Sequence, residues 1–421
     1  MNNKLWQSLA NSWKIPELRK KLLFTAAMIA IYRFGAHVPV PGVDVKALEN
    51  FFNSGAAGVV GFLNLFSGGA LSRVAVFALG IMPYITASII MQLLTVVIPR
   101  LEELQKEGEQ GQKVITQYSR YLTVGLAAVQ SVGYIFLFKQ YHALPNLTVV
   151  KFALIVFTLT AGATAVMWIG ELITARGIGN GMSILIFISI ISRIPGGLRE
   201  FFQGSMGLAA QIGFVVIALA VIVAVIWITT GERRVPVQYA KRIVGRRMMG
   251  GTSTFIPLKV NMAGVIPVIF AASVMLIPVT IATYLPGGQN GWFAHTFGPN
   301  TVLYIIGEAL LIILFTYFYT AVTFNPIDQA DNLKKYGGFV PGVRPGRPTA
   351  EYLDRILTRL TLPGALFLAA VAVLPWALYK FLHVPFNFGG TSILIVVGVA
   401  LDTMRQMEAQ LLMRHYEGFL K

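Results

Sequence analysis

Residues 58–71 read Gly-Val-Val-Gly-Phe-Leu-Asn-Leu-Phe-Ser-Gly-Gly-Ala-Leu. This stretch is too apolar for a solvated loop, and it is too short and too rich in glycine to cross a bilayer. It continues directly into residues 72–98, which are long enough to cross. Backbone that does not form a membrane-spanning helix is tolerated inside a bilayer only where protein or a water-filled cavity surrounds it. We therefore expect other helices to enclose residues 58–71.

The composition of the whole chain indicates an integral membrane protein. Of its 421 residues, 55% are hydrophobic and 12% are charged, and the mean hydropathy is +0.67. Soluble domains carry about 25% charged residues, roughly twice as many. The basic N-terminus leads into the first apolar run without a small-residue cleavage site, so we expect it to be retained rather than removed as a signal peptide.

The sequence contains no pattern typical of an enzyme or a metal site. It has no cysteine, which excludes disulfides and thiolate ligands, and its five histidines are scattered without metal-ligand spacing. It also lacks a phosphate-binding loop, paired catalytic carboxylates and a Ser/His/Asp arrangement. We predict a protein that is not an enzyme and that binds no cofactor and no metal.

Apolar runs near 20 residues long mark spanning helices, and the chain has ten such candidates. The fifth is short and follows a glycine-rich turn at residues 177–181. The predicted spans are 22–36, 74–98, 118–138, 149–172, 182–194, 210–230, 260–284, 302–322, 361–381 and 390–406.

Ten spans place both termini on one side, and the positive charges indicate which side. Of the 34 lysines and arginines, 26 lie in the two termini, in the connections on the same side as the termini, and in the span ends that adjoin them. Because basic residues concentrate in cytoplasmic segments, both termini are predicted to be cytoplasmic in a plasma-membrane protein. The charge asymmetry also supports the short fifth span, since omitting it would reverse the second half.

Two basic cytoplasmic connections, residues 231–259 and 323–360, are longer than usual at about 30 and 40 residues. One interpretation is the usual positive bias together with contact to anionic lipid. The other is a docking platform for a large anionic partner such as ribosomal RNA or an acidic protein surface. The composition favours neither interpretation.

The chain divides into two halves, residues 1–195 and 196–421, with five predicted spans each. Five-span repeats must have inverted topology, and such folds often place a pathway at the repeat interface. An inverted-repeat secondary transporter of small solutes is therefore one alternative, although it should carry intramembrane charges or ion-coordinating clusters. A scaffold that binds ribosomes without conducting anything is another.

Isoleucines recur at helical spacing on two of the predicted spans. Ile81, Ile85 and Ile89 lie four residues apart on the second span, and Ile186 and Ile190 repeat the spacing on the fifth. Such stripes most often face lipid or pack against other helices. If the two stripes face each other, an aliphatic collar would exclude ions by dewetting and would offer no hydrogen bonds to a passing polypeptide.

Two amides interrupt otherwise apolar helices, Gln92 on the second span and Asn261 at the start of the seventh. One interpretation is interhelical hydrogen bonding worth on the order of 1 kcal/mol. The other is a seam between these two helices that is held weakly enough to part.

Five motifs in this chain resemble the SecY family, the channel-forming subunit of the general protein secretion translocon. They occur in the family's order along nearly the whole chain, and the resemblance is to bacterial members. The motifs are Gly-Ile-Met-Pro-Tyr-Ile-Thr-Ala-Ser-Ile-Ile-Met-Gln-Leu-Leu at 80–94, Gly-Ile-Gly-Asn-Gly-Met-Ser at 177–183, Lys-Val-Asn-Met-Ala-Gly-Val-Ile-Pro at 259–267, the turn at 339–346, and Gly-Gly-Thr-Ser-Ile-Leu-Ile-Val-Val at 389–397.

The resemblance implies an all-α fold of ten transmembrane helices in two inverted, pseudo-symmetric halves around a central pore, with a re-entrant plug half-helix. It assigns the pore ring to Ile81, Ile85, Ile186, Ile190, Ile269 and Ile395. It assigns the plug to Val60, Gly61, Phe62, Leu63, Asn64, Leu65, Phe66, Ser67, Gly68, Gly69, Ala70, Leu71 and Ser72. The lateral gate lies between spans 2 and 3 and spans 7 and 8, with Gln92 and Asn261 at polar positions.

The resemblance also implies the function and the partners. The function is a passive conduit for unfolded preproteins that releases transmembrane segments sideways into the bilayer. The partners are small membrane subunits resembling SecE and SecG, the SecA motor ATPase, the ribosome with its RNA, secretory preproteins with their signal sequences, and anionic lipid. The loop tips that dock the motor or the ribosome correspond to Arg246, Arg247 and Arg344.

Overall fold

The protein is mostly helical in a computed structural model, and a helix occupies every one of the ten predicted spans. The structure describes residues 15–45, 64, 66–140, 143–144, 147–203, 208–239, 242–244, 247–249, 253–284, 296, 301–382 and 390–417.

Seven helices lie in the described part of residues 1–203, and the last of them crosses the predicted boundary between the halves at residues 195 and 196. They are α1 (Pro16–Gly35), α2 (Met82–Val97), α3 (Pro99–Lys106), α4 (Glu109–Gln140), α5 (Val149–Arg176), α6 (Gly181–Ile191) and α7 (Ile194–Gln203). The C-terminal half contains, in chain order, α8 (Leu208–Thr230), β1 (Glu232–Tyr239), β2 (Arg242–Val244), β3 (Arg247–Met249), β4 (Ser253–Lys259), α9 (Ile266–Tyr284), α10 (Val302–Thr323), α11 (Pro326–Lys335), β5 (Gly338–Phe339), α12 (Arg347–Leu382) and α13 (Gly390–Glu417).

Within the described part of the chain, four helical segments are both long and apolar enough to cross a membrane. They are Val149–Arg176, Gln211–Thr230, Val302–Lys335 and Arg347–Leu374, and α2 with α3, bent by 100°, would make a fifth. Other helices in the predicted spans fall short for identifiable reasons. Helix α1 carries four basic residues, and α6 has only 11 residues.

The second predicted span begins later than the sequence pattern suggests. Residues 67–81 form a series of turns, and α2 starts only at Met82. Gly80 has a φ of +58° and Val74 a φ of +46°, which a right-handed helix does not allow. Pro83 then suits the first turn of α2, because its missing N–H has no helical partner there. The prediction of a helix from residue 74 is therefore wrong over its first two turns.

The two basic connections, which the sequence predicts to be separate loops, form one antiparallel sheet. Strands β1 and β4 pair from Glu232 opposite Lys259 to Gln238 opposite Ser253. Strand β5 of the second connection then pairs with β1, giving the order β4-β1-β5. Strands β2 and β3 form a separate two-stranded ribbon beyond β1 and β4.

A small apolar core holds the two connections together. Val235 and Val237 alternate with exposed neighbours on β1, as expected for a strand with one buried face. They pack with Leu258 of β4, with Val340 after β5 and with residues of α11 and α12, all in one cluster. The two connections therefore form a single folded unit beside the helices.

The main core unites the two halves of the chain. One apolar cluster contains buried residues from α2, α5 and α6 of the first half and from α9, α10, α12 and α13 of the second. Fully buried members include Val166, Val268, Ile312 and Leu368, each at most 1% exposed. The predicted pore-ring residues lie in this same cluster.

Candidate functional site

Six isoleucines from four different parts of the chain are buried in the main core. Ile81 and Ile85 stand at the start of α2, Ile186 and Ile190 on α6, Ile269 on α9, and Ile395 on α13. Each is at most 6% exposed, and all six belong to the same apolar cluster. Ile81 accepts the backbone N–H of Ile85 at 3.1 Å, so the helical spacing of the first stripe begins before the helix itself. These are the residues that the resemblance assigns to the pore ring.

Local sequence explains where α6 begins and why it packs closely against α5. The side chain of Asn180 caps its N-terminus by accepting the backbone N–H groups of Met182 at 3.0 Å and Ser183 at 3.3 Å. A side chain at Gly181 would collide with the backbone of Gly170 on α5. The glycine-rich turn that makes this span doubtful by hydropathy therefore lets α6 pack directly against α5.

The described part of the predicted plug, Asn64 and residues 66–72, forms a buried polar turn. The carbonyl of Asn64 accepts the Ser67 hydroxyl at 3.1 Å and the Gly69 N–H at 2.9 Å. The Asn64 side-chain oxygen accepts the Ser72 N–H at 3.0 Å. Asn64 is fully buried, and Leu71 is too. As expected from the opening stretch, protein encloses these residues. Val60, Gly61, Phe62, Leu63 and Leu65 lie outside the described residues.

The turn rests on α6 at the residue next to Ile190. Gly68 has a φ of +64°, which glycine adopts at little cost. A carbon added at Gly68 would lie 3.2 Å from the Cα atom of Ser189. This close approach and the backbone conformation both require glycine at this position.

Two polar side chains of α1 bind the end of α6, and one of them, Arg33, also binds the turn. Tyr32 donates its hydroxyl to Ser189 Oγ at 2.6 Å, because that oxygen already donates its own proton to the Leu185 carbonyl. Arg33 Nη1 donates both to the Gly68 carbonyl and to Ser192 Oγ, each at 3.0 Å. Arg33 is thus a bridge between the turn and α6, and no pattern in the sequence identifies it. Its partner Gly68 accepts through the backbone, which leaves no mark in a sequence.

The two predicted gate amides do not share a hydrogen bond. Gln92 lies on α2 as predicted, but Asn261 lies in the non-helical segment between β4 and α9, so the prediction that it begins the seventh helix is wrong. The helix starts only at Ile266, because Gly264 has a φ of +65°, which a right-handed helix does not allow. Helix α2 packs against α9. Asn261 donates its amide nitrogen to the Gly264 carbonyl at 3.0 Å and is only 4% exposed. In the described part of the chain, Asn261 Oδ1 and Gln92 Oε1 are both buried without a partner.

The predicted docking arginines lie on the sheet unit or just beyond it. Arg344 is exposed in the turn after β5, where its carbonyl accepts the Thr349 hydroxyl at 2.8 Å. Arg247 is the first residue of β3. Arg246 lies outside the described residues.

Comparison with solved structures shows the fold. The chain resembles a protein-conducting channel with a TM-score of 0.66 at 17% identity, covering 93% of this chain and 92% of that one. It also resembles a SecY protein whose plug domain stabilises the closed state and maintains a membrane seal. The TM-score is 0.64 at 18% identity, with the same coverage of both chains. A third similar structure is Sec61 in the canine ribosome–channel complex, with a TM-score of 0.62 at 17% identity over 93% of this chain and 92% of that one.

Comparison with known sequences shows the family. The SecY family model matches residues 75–404. The protein translocase subunit SecY of Streptomyces galbus is 51% identical over 98% of this chain and 99% of its own length. The protein translocase subunit SecY of Mycobacterium tuberculosis is 48% identical over 98% of this chain and 99% of its own length. A match of this extent leaves one conclusion: the chain is a multi-pass membrane protein that belongs to the SecY family.

Proposed function

We propose that this chain is the channel subunit of a protein translocase, a passive conduit through which unfolded preproteins cross the plasma membrane. The observation that carries the proposal is the set of six isoleucines, drawn from both halves of the chain and buried in one apolar cluster beside a glycine turn. The two halves, residues 1–195 and 196–421, would enclose the pathway between them.

In this proposal the isoleucines form the narrowest point of the pathway. A ring of aliphatic side chains excludes water and ions by dewetting, so it needs no charge to form a barrier. It also presents no donors or acceptors that would bind one peptide sequence more tightly than another. These two properties suit a conduit for chemically varied chains.

The turn formed by Asn64 and residues 66–72 is proposed as the stopper of the closed channel. Its support is the contact of Gly68 with α6 at Ser189, next to the ring residue Ile190. Its internal hydrogen bonds would let it move as a unit, since they need not break when the turn leaves. Gln92 and Asn261 are proposed as polar positions of a lateral gate between α2 and α9, through which apolar segments enter the lipid.

The sheet unit is proposed as the docking surface for cytoplasmic partners. A ribosome-bound relative shares the fold, which supports a ribosome as one partner. Arg344, Arg247 and Arg246 would contact ribosomal RNA or the SecA motor, which would supply the energy for transport. Small subunits resembling SecE and SecG complete the proposed complex, and both termini are proposed to be cytoplasmic.

Site-specific photo-crosslinking tests the conduit. We would place photo-reactive side chains at Ile85, at Ile190 and, as a control, at Val223, which is 65% exposed on α8. A secretory chain arrested in transit should form adducts at the two isoleucines and not at the control position. A small-solute transporter or a ribosome-binding scaffold would give no adduct at Ile85 or Ile190, and that result would refute the proposal.

A further inference from the structure

One residue next to the proposed stopper has a backbone conformation that its side chain disfavours. Val74 has a φ of +46°, and it is the only non-glycine residue with a positive φ in the described part of the chain. A β-branched residue rarely adopts such a φ, because its Cβ then lies too close to the following carbonyl oxygen. Glycine adopts it at little cost, as Gly68, Gly69 and Gly80 do nearby. Val74 is therefore a site of backbone strain.

Hydrogen bonds on both sides of Val74 hold it in this conformation. Its N–H donates to the carbonyl of Leu71, which belongs to the stopper, at 3.0 Å. Its own carbonyl accepts the Val40 N–H at 2.8 Å. The Val76 N–H then donates to the Val38 carbonyl at 2.9 Å, within a short antiparallel bridge. The segment that follows α1 thereby anchors the chain just beyond the stopper.

The N–Cα bond of Val74 lies between these two separately held parts of the chain. The peptide group before this bond is bonded to the stopper, and the peptide group after it is bonded to the anchoring segment. The hydrogen bond from the Ala75 N–H to the Ala70 carbonyl, at 2.8 Å, crosses the N–Cα bond and would not survive a change of φ to the negative range. Such a change swings the stopper away from the anchored segment and relieves the strain at Val74. Strained residues held in place by their surroundings are typical of parts that switch.

We propose that Val74 is the pivot of the stopper and that its strain favours departure of the stopper. The inference rests on the proposed function and deepens it. In the closed state, the contact of Gly68 with α6 and the hydrogen bond from Arg33 hold the stopper against the strain. When the stopper leaves, the φ of Val74 returns to the negative range. The closed state is thus less stable than its contacts alone would make it, so a passing polypeptide displaces the stopper more easily.

The labelling rate of a single thiol in the stopper tests the pivot. The chain has no cysteine, so Ser67→Cys introduces its only thiol, at a position that is 2% exposed in the closed turn. A maleimide added to the purified complex in detergent, without any substrate chain, reacts at a rate proportional to the fraction of displaced stoppers. Val74→Gly in this background should lower the rate about tenfold. Tenfold corresponds to about 1.4 kcal/mol, which lies within the usual cost of a left-handed conformation for a residue other than glycine.

Two further variants separate strain from packing. Val74→Ala loses the same branched methyl groups but keeps a Cβ, so it should be labelled more slowly than the Val74 protein and faster than Val74→Gly. Val40→Ala is the matched control, because Val40 is 2% exposed in the same apolar cluster and has no positive φ. Lost packing without relief of strain should leave the rate unchanged or raise it. Labelling of Val74→Gly as fast as that of Val74→Ala, or a decrease of equal size in Val40→Ala, would overturn the pivot.

The labelling assay needs no translocating chain, so its result is separate from the crosslinking test of the conduit. Slower labelling of Val74→Gly without adducts at Ile85 and Ile190 would support the pivot and refute the conduit. Adducts at both isoleucines together with unchanged labelling would refute the pivot alone.

Discussion

Replacing Arg33 by methionine should open the idle channel more often. Methionine keeps an unbranched apolar stem but removes the guanidinium that donates to the Gly68 carbonyl and to Ser192 Oγ. The first bond joins α1 to the proposed stopper, and it must break whenever the stopper leaves. The second bond joins two helices, α1 and the end of α6, and need not break. The variant should therefore destabilise the closed state specifically.

The expected magnitude follows from the one bond that differs between the two states. A hydrogen bond to a charged group contributes about 1.5–3 kcal/mol when its partner is buried. Arg33 is only half-buried, so water can partly replace it at the Gly68 carbonyl, and the lower end of that range applies. A loss of about 1.5 kcal/mol changes the ratio of closed to open channels by roughly tenfold.

The assay is ion conductance of the reconstituted complex in planar bilayers without any substrate chain. Arg33→Met should raise the open fraction about tenfold, by the same conversion. Arg33→Lys should have an intermediate effect, because the ammonium keeps the positive charge but its nitrogen lies one bond closer to the backbone than Nη1 and reaches the two acceptors less well. Arg19→Met is the matched control, since Arg19 is an exposed arginine of the same helix, and it should leave the conductance unchanged.

An unchanged idle conductance in Arg33→Met, with normal assembly of the complex, would refute the proposed bridge. An equal increase in Arg19→Met would attribute the effect to the insertion of α1 and not to the stopper.

Three further changes test other parts of the structure. Gly68→Ala should also raise idle conductance, because it combines a positive φ with a carbon 3.2 Å from Ser189 Cα; a silent variant would contradict the close seat on α6. Leu258→Ala should destabilise the sheet unit by about 2–5 kcal/mol, measured as faster proteolysis of the two connections, because Leu258 is fully buried. Phe255→Ala is its control, since Phe255 is 47% exposed and should cost far less. Arg344→Glu should abolish motor-driven export while membrane insertion and folding remain intact; normal export would remove Arg344 from the docking surface.

The sequence predicted the helices well because their signal is local. Apolar runs and the glycine-rich turn before α6 indicate helices without any knowledge of distant residues, and the structure has a helix in each predicted span. The error at the start of α2 has the same origin. Residues 74–81 are apolar enough for a helix, and their turns depend on contacts with residues such as Ser67, which lies 3.3 Å from a carbon added at Gly80.

The sheet unit was missed because its pairing is not local. Strands β1 and β5 lie about 100 residues apart in the chain, and β5 has only two residues. The alternation of Val235 and Val237 indicates a strand, but the net charge of the connection obscures so short a pattern. No spacing rule could have joined the two connections, since only the shared apolar core does so.

The candidate site divides in the same way. Helical spacing singled out Ile81, Ile85, Ile186 and Ile190, together with Ile89, as apolar stripes, and the resemblance then assigned the first four to a pore ring. Ile269 and Ile395 are single members of α9 and α13, and only the resemblance to the SecY family identified them. Arg33 was found by neither route, because its acceptor Gly68 is a backbone carbonyl 35 residues away.

The structure suggests why a ring and a stopper would act together in the proposed channel. Ser189 packs against Gly68 of the proposed stopper and accepts the hydroxyl of Tyr32, while the next residue, Ile190, belongs to the proposed ring. Because α6 is rigid over so short a length, a shift that widens the ring at Ile190 also shifts Ser189. That shift would disturb the seat of Gly68 and lengthen the bond from Arg33. A polypeptide that pushes the ring apart would thereby loosen the stopper without any separate signal.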